Sequence, residues 1–404
     1  MEVHSRLKTA LWLYLFLFLA YFDLHAQYPV LTPFAISLGA GPAFIGWMMG
    51  MYSLTHLPGN LLAGVLIDRK GSRRYIVYSL VAAGVILLFQ AYARLPWHLL
   101  LLRAASGFAL AFLSPACMSL LASLSSDSEK QGKYMSGQGI VHTLASVLSP
   151  AAGAFIVAKA GFSGTFLSLG WLLIATGVMA FFSVPRAARN QPAKAVSAAA
   201  EHGHAKALIS PEAASTKLVP FRFLLLPFFI AAAQGVLFFE LPLSQAANGN
   251  KGILSTGILL SLLSLGALVT LSMLFMNRLP ALWRIGAALL GMALCFFGLA
   301  AVPGIPPAVI LFLMGTAKGV LFPALASLFI SIGGPGRMGR IFSLQSIATS
   351  LGAFAGPVAA GQLRGFVSPY FIAFVLVMLA LLIIPLPGSG KLSAYRPDWE
   401  GPAI

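Results

Sequence analysis

Gly64-Val65-Leu66-Ile67-Asp68-Arg69-Lys70-Gly71-Ser72-Arg73-Arg74 is the stretch from which the rest of the chain can be read. Apolar runs long enough to cross a bilayer flank it, over 46–67 and 75–93, so its charges form a tight turn at one membrane face. Four cations in six residues fix that face as the cytoplasmic one, because Lys and Arg in short loops resist translocation. Gly64 lets a neighbouring helix approach closely, Asp68 can cap or counter a helix end, and Gly71 permits the reversal. The alternative is a solvated basic loop of any polytopic protein.

At 59% hydrophobic and 9% charged residues, with a mean hydropathy of +0.89 over 404 residues, the chain lies outside the usual range for soluble domains. It reads as an integral membrane protein. A formal net charge of +16 would point to nucleic acid in a soluble protein, but here the cations follow topology. Most fall in loops on the side of the 64–74 turn. Arg94, Lys159, Lys251 and Arg364 fall on the other side, and Arg103 and Lys318 within apolar spans. Contact with anionic lipid accounts for that asymmetry without nucleic acid. Cys117 and Cys295 sit in apolar helices, so no disulfide framework is expected. The run from Leu7 to Leu19 continues apolar through Leu31 without a small-x-small cleavage site, which favours a retained first helix over a signal peptide.

At about 20 apolar residues per crossing, about twelve spans are expected. They cover 11–31, 46–67, 75–93, 95–124, 135–158, 164–184, 221–243, 254–275, 282–302, 306–332, 341–363 and 369–386. The stretch 185–220, rich in Ala and charge, reads as a cytoplasmic linker. The halves repeat. Gly132-Lys133-x-x-Ser136-x-Gln138-x-Ile140, leading to Ser149-Pro150, matches Gly339-Arg340-x-x-Ser343-x-Gln345-x-Ile347, leading to Gly356-Pro357. Pro33 likewise matches Pro242, Asp68-Arg69 matches Asn277-Arg278, and Gly107 with Pro115 matches Gly315 with Pro323.

The spacing Gly64-x-x-x-Asp68-Arg69-x-Gly71-x-Arg73-Arg74 resembles the loop between helices 2 and 3 of the major facilitator superfamily of secondary transporters. With the internal repeat, the resemblance implies an all-α polytopic membrane protein with 12 transmembrane helices in two pseudo-symmetric six-helix bundles. The expected division is 1–184 for the first bundle, 185–219 for the linker, 220–387 for the second bundle and 388–404 for a cytoplasmic tail. A binding site between the bundles would open alternately to each side. The expected location is the plasma or inner membrane with both termini cytoplasmic, as a monomer. The expected partners are a small-molecule substrate, protons and the lipid bilayer, with no cofactor, metal, nucleic acid or enzymatic activity. Gly334-x-Gly336-x-x-Gly339 mimics a dinucleotide loop but joins two apolar helices and follows no strand. His202 and His204, lacking other ligands, read as solvated.

Ionisable groups inside spans cost roughly 2.5 to 3.5 kcal/mol each at mid-membrane on insertion scales, so they carry the functional signal. Asp23, about 18 Å up helix 1, and Arg103, about 12 Å down helix 4, reach the same depth in a core of about 30 Å. Helices 1 and 4 line the central cavity in the family this chain resembles, and Arg103 with Gly107 matches its helix-4 Arg-x-x-x-Gly pattern. Asp23 and Arg103 are therefore expected to form a proton-coupling pair or a static buried ion pair, with Gln27 on the same helix face extending the network. Lys318 has no acid at its depth and is expected to attract an anionic substrate, or to snorkel. Glu240 is expected at the exposed outer rim. Gln138 and His142 on helix 5, and Gln345 and Thr349 on helix 11, form one polar stripe per half and are expected to bind substrate or glue helices together. His25 and His56 are further groups able to titrate near neutrality.

Gly352-x-x-x-Gly356-Pro357 resembles the antiporter signature of this superfamily, although the better copy lies in helix 11 and the one at Ser149-Pro150 is degraded. The expected function is proton-coupled export of a small amphipathic or anionic compound. The alternatives are a symporter importing an organic anion and a non-transporting scramblase or scaffold.

Overall fold

The computed structural model describes residues 2–124, 128–184, 221–273, 279–302, 304–333 and 338–384. The expected linker and tail, the Asn277-Arg278 repeat, residues 334–337 and the histidines at 202 and 204 lie outside them. Among the described residues there is no strand.

The first span is built as α1 (Glu2–Ala26) and α2 (Tyr28–Ser37), broken at Gln27. Pro29, in the first turn of α2, lacks the amide hydrogen that would continue the ladder from α1, whereas Pro33 sits inside α2. Next come α3 (Pro42–Lys70), α4 (Ser72–Ala91), α5 (Pro96–Leu110) and α6 (Leu113–Ser123). Pro42 and Pro96 open their helices where an amide hydrogen has no intrahelical partner. Helix α7 (Ser128–Ser183) holds two expected spans, separated at Gly161, whose φ of 71° and ψ of −178° reverse the chain. The second half comprises α8 (Phe221–Gln245), a 3-10 turn (Ala246–Asn248), α9 (Gly249–Leu271), α10 (Ala281–Ala301), α11 (Pro307–Gly333), α12 (Met338–Leu363) and α13 (Pro369–Ile383).

Eight described stretches are long and apolar enough to cross a membrane. Gly137–Ser183 and Arg222–Leu271 each contain two expected spans. The other two expected spans are α13, which is short at 15 residues, and α3, whose Ser53, Thr55, His56 and Asn60 lower its hydropathy. That polarity has a use, since three of those four residues face a cavity.

In the first half α1 packs on α7, α3 on α5 and α4 on α7. In the second, α8 packs on α12 and α13, and α9 on α11. The halves meet along two seams, α3 against α12 and α7 against α9. Small residues bring backbones together there. A Cβ at Gly50 would stand 2.7 Å from the Phe354 carbonyl oxygen, one at Gly46 would strike the Pro357 carbonyl, and one at Gly257 would lie 2.6 Å from the Pro150 carbonyl oxygen. The Ala151 amide donates to Ser261 Oγ across the second seam at 3.2 Å. Tyr28 of α2 stacks on Phe238 of α8 with centroids 4.3 Å apart.

Gly46 and Gly50 lie near the start of α3, and the 64–74 turn lies at its other end. The close approach expected at Gly64 is absent, since nothing lies within 4 Å of where its Cβ would be. This part of α3 is exposed, at Leu61, Leu62 and Val65. Gly71 joins α3 to α4 with a φ of 84°. Asp68 and Arg69 are exposed, whereas Arg73 donates to the Phe181 carbonyl and sits 4.9 Å over its ring, tying α4 to the end of α7.

Candidate functional site

The break after α1 lets Gln27 fold back on its own helix, where its Nε2 donates to Asp23 Oδ1 at 2.8 Å. Arg103 Nη1, from α5, donates to Gln27 Oε1 at 3.1 Å. Asp23 and Arg103 therefore share a network as expected from their depth, but Gln27 stands between them in place of a direct ion pair. The guanidinium lies 4.6 Å over the Tyr52 ring of α3. It reaches there because Gly107 lies against Tyr52 and Thr55, and Thr55 Oγ1 donates to the Ala104 carbonyl at 2.7 Å. Asp23, Gln27 and Arg103 are 1%, 1% and 2% exposed, and Arg103 Nε has no partner. A charge so enclosed is held by its partners, because an unpaired ion there costs several kcal/mol.

Beside this relay lies a cavity of about 430 Å³ between the halves. Tyr21, Tyr52, His56, Asn60, Ser114 and His142 line it from the first half, and Ser346, Thr349 and Ser350 of α12 from the second. Of the expected substrate-binding residues, His142 faces the cavity directly. Gln138 stands behind the wall, its Nε2 donating to Tyr21 Oη at 2.7 Å and to Ser114 Oγ at 2.9 Å, so it positions two lining hydroxyls. Gln27, Arg103 and Lys318 do not line the cavity in this arrangement, nor does Gln345, whose Oε1 is buried without a partner next to lining residue Ser346.

Lys318 of α11 lies among second-half helices, its Nζ 6.0 Å from the Phe238 ring centroid and 5.6 Å from that of Phe322. Among the described residues no carboxylate lies within ion-pair distance of it; the ion pair found there joins Arg364 to Glu240. Phe238 leads through its stack on Tyr28 to His25, whose ring lies 5.6 Å from Tyr28 and 5.1 Å from His142. His142 in turn meets Tyr21 edge-on at 4.8 Å. His25 Nε2 is buried with no partner. The sequence marks His25 only by its place beside Asp23, and its contacts with Tyr28 and His142 exist only once α1, α2 and α7 converge.

Glu240 departs from expectation. It is 6% exposed, and Arg364 clasps it through Nε at 2.9 Å and Nη2 at 3.1 Å. The chain bends after α12 and carries Arg364 back over α8, so the carboxylate meets a guanidinium before it meets water. Among the described residues no cluster of three or more His, Cys, Asp or Glu is placed to hold a metal ion.

The arrangement is a polar and aromatic cavity between two helix sets with a buried charged network beside it. Residues 13–357 match the sequence profile of the Major Facilitator Superfamily. The chain is 28% identical over 347 residues to the 3-(3-hydroxy-phenyl)propionate transporter of Escherichia coli (strain K12), covering 79% of this chain and 77% of that one. It is 24% identical over 369 residues to the multi-drug resistance efflux pump PmrA homolog of Lactococcus lactis subsp. lactis (strain IL1403), covering 88% and 87%. In fold it is similar to a bacterial homologue of the human lysosomal transporter Spinster in an inward-facing, unoccupied conformation, with a TM-score of 0.71 at 14% identity over 94% of this chain and 92% of that one.

Proposed function

The chain belongs to the major facilitator superfamily, and from that premise we propose that it moves a small organic anion, with protons as the coupling ion, by exposing the central cavity to each membrane face in turn. The observation that carries the anion is Lys318. A half-buried cation lying over two phenyl rings of the second half, with no acid beside it, is stabilised by a ligand that brings the negative charge. Phe238 and Phe322 beside it suit a flat apolar body. An aromatic carboxylate such as the one named for the E. coli relative combines both features.

The 64–74 turn and the open end of the cavity lie on the cytoplasmic side in this reading, which makes the conformation inward-open with both chain ends in the cytoplasm of a plasma or inner membrane. One copy contains the whole cavity, so the monomer is the transporting unit. The proton has two possible seats, the Asp23–Gln27–Arg103 relay and the imidazoles of His25 and His142. In either case a proton and an anion of opposite charge lower each other's cost in one enclosed space, which favours their moving together as symport, with uptake of the anion. Export by antiport is the second reading. The 24% identity to an efflux pump over 88% of this chain supports it, as does the Gly352-x-x-x-Gly356-Pro357 signature of α12.

Proteoliposomes test both. An inwardly directed proton gradient should accumulate labelled 3-(3-hydroxyphenyl)propionate or a related aromatic acid if the reading is right. Accumulation driven only by an opposing proton gradient would establish antiport, and indifference to any proton gradient would remove proton coupling altogether.

A further inference from the structure

The cavity wall at Tyr21 and Ser114 permits a sharper statement about what the cavity takes, which rests on reading that cavity as the transport path. Tyr21 belongs to α1 and Ser114 to α6, and both line the cavity. Behind them Gln138 of α7 spends the two hydrogens of its side-chain amide on the pair, donating to Tyr21 Oη at 2.7 Å and to Ser114 Oγ at 2.9 Å. A hydroxyl that accepts in this way keeps its own hydrogen to donate. Among the described residues neither hydroxyl gives that hydrogen to a backbone carbonyl, whereas its neighbours on α7 do: Thr143 donates to Gly139, Ser146 to Thr143 and Ser149 to Ala145. A hydrogen bond between Tyr21 and Ser114 would use one of their two hydrogens and leave the other. The pair therefore presents O–H donors to the cavity. Thr349 Oγ1, on the facing wall, has the opposite sense, because it donates to the Gln345 carbonyl at 2.9 Å and keeps only lone pairs.

We propose that the Tyr21–Ser114 hydroxyl pair, oriented by Gln138, is a subsite for an uncharged oxygen acceptor on the body of the substrate, an ether, carbonyl or phenolic oxygen. No Lys, Arg, Asp or Glu is among the described residues that line the cavity, so recognition there rests on neutral hydrogen bonds. Leu17, Leu24, Leu110 and Leu113 supply the apolar remainder of the same wall. Once the cavity closes and loses its water, an O–H donor without an acceptor costs free energy, and a substrate oxygen removes that cost. Gln138 is a positioning residue that sets the sense of the site. An acceptor in its place would draw both hydroxyl hydrogens out of the cavity. The anionic group of the reading above is a separate feature of the substrate, because Lys318 does not line this cavity.

The test compares probes that differ in one acceptor, by equilibrium binding to the full chain in lipid nanodiscs with binding to empty nanodiscs subtracted. 3-(3-Methoxyphenyl)propionate and 3-(3-ethylphenyl)propionate have nearly the same shape, and only the first brings an oxygen on the ring. Wild type should bind the methoxy acid roughly tenfold more tightly, since each hydrogen bond contributes roughly 2- to 10-fold. Tyr21→Phe and Ser114→Ala should each lower that ratio several-fold. Gln138→Glu, whose carboxylate accepts from both hydroxyls, should bring the ratio near one, whereas a loss of packing alone would weaken both probes alike and leave the ratio unchanged. The two hydroxyl variants carry the test if Gln138→Glu is not recovered folded. A ratio near one in wild type, or an unchanged ratio in both hydroxyl variants, overturns the proposal, and a wild-type ratio in Gln138→Glu overturns the positioning role. A second arm repeats the comparison without charge, using 3-methoxybenzamide and 3-ethylbenzamide. Preference within that neutral pair when neither acid binds upholds the subsite and removes the anion reading. Binding and transport of both acids without preference upholds the anion reading and removes the subsite. Binding of none of the four removes both.

Discussion

Substituting alanine for Gly46 or Gly257 should trap the protein away from the conformation described here. At Gly46 the added methyl would strike the Pro357 carbonyl and approach the Val358 Cα at 3.3 Å. At Gly257 it would meet the Ala154 Cβ at 2.5 Å and the Pro150 carbonyl oxygen at 2.6 Å. Each obstacle includes backbone of the opposite half, which cannot rotate aside. Overpacking of this kind costs about 1 to 3 kcal/mol. In the proposed cycle the contact exists only while these seams are closed, so the cost falls on one state and shifts the ratio of the two cavity openings by roughly 5- to 150-fold. Gly356→Ala is the control, since its methyl would press on the Ala232 carbonyl within the second half and burden both states alike. The assay is the reaction rate of a cysteine at Ser350, on the cavity wall, with membrane-impermeant thiol reagents applied from each side. Cytoplasmic labelling should slow and external labelling should quicken in Gly46→Ala and Gly257→Ala, with little change in Gly356→Ala. Equal labelling of all four proteins, each folded, would refute the assignment of α3–α12 and α7–α9 as seams that open.

Further outcomes follow from the buried network and the turns. Gln27→Leu removes the amide that joins Asp23 to Arg103, and hydrogen bonds to charged groups contribute about 1.5 to 3 kcal/mol each, so thermal unfolding in detergent should begin several degrees lower. An unchanged melting temperature would show that the two charges find each other without it. Glu240→Gln weakens a clasp whose arginine is 36% exposed, so the loss should be modest, on the order of 1 kcal/mol, and should shrink further at high salt. Equal destabilisation at low and high salt would speak against a charge effect. Gly71→Val forces a branched residue to a φ of 84°, a strain of about 1 to 3 kcal/mol, and should reduce the yield of folded protein, whereas Ser72→Ala beside it should not.

Much of the fold was written in local features. Charge density in the 64–74 turn, run length and the repeat of Gly132–Ile140 at Gly339–Ile347 identify helices and their order without tertiary information. Part of the site was legible as well, because Asp23 and Gln27 are four apart on one helix and Arg103 lies at matching depth. What escaped depends on packing between distant elements. No spacing rule puts Gln27 between Asp23 and Arg103; the break at the prolines after α1 does. Glu240 reads as a rim residue by depth alone and becomes buried only because Arg364 folds over it. Gly64 carries the small-residue signal for close approach, yet in this conformation the approach is made at Gly46 and Gly50, near the other end of α3. His25 acquires partners only when α1, α2 and α7 pack and bring its ring against Tyr28 and His142.

The central claim is that an anion binds at Lys318 and travels through the cavity. Its most direct measurement is counterflow of labelled 3-(3-hydroxyphenyl)propionate in proteoliposomes bearing wild type, Lys318→Arg or Lys318→Gln, alongside a neutral amide of the same acid. The account predicts exchange of the acid by wild type, reduced exchange by the arginine variant, loss with glutamine, and no exchange of the amide by wild type. Undiminished exchange of the acid by Lys318→Gln would contradict it.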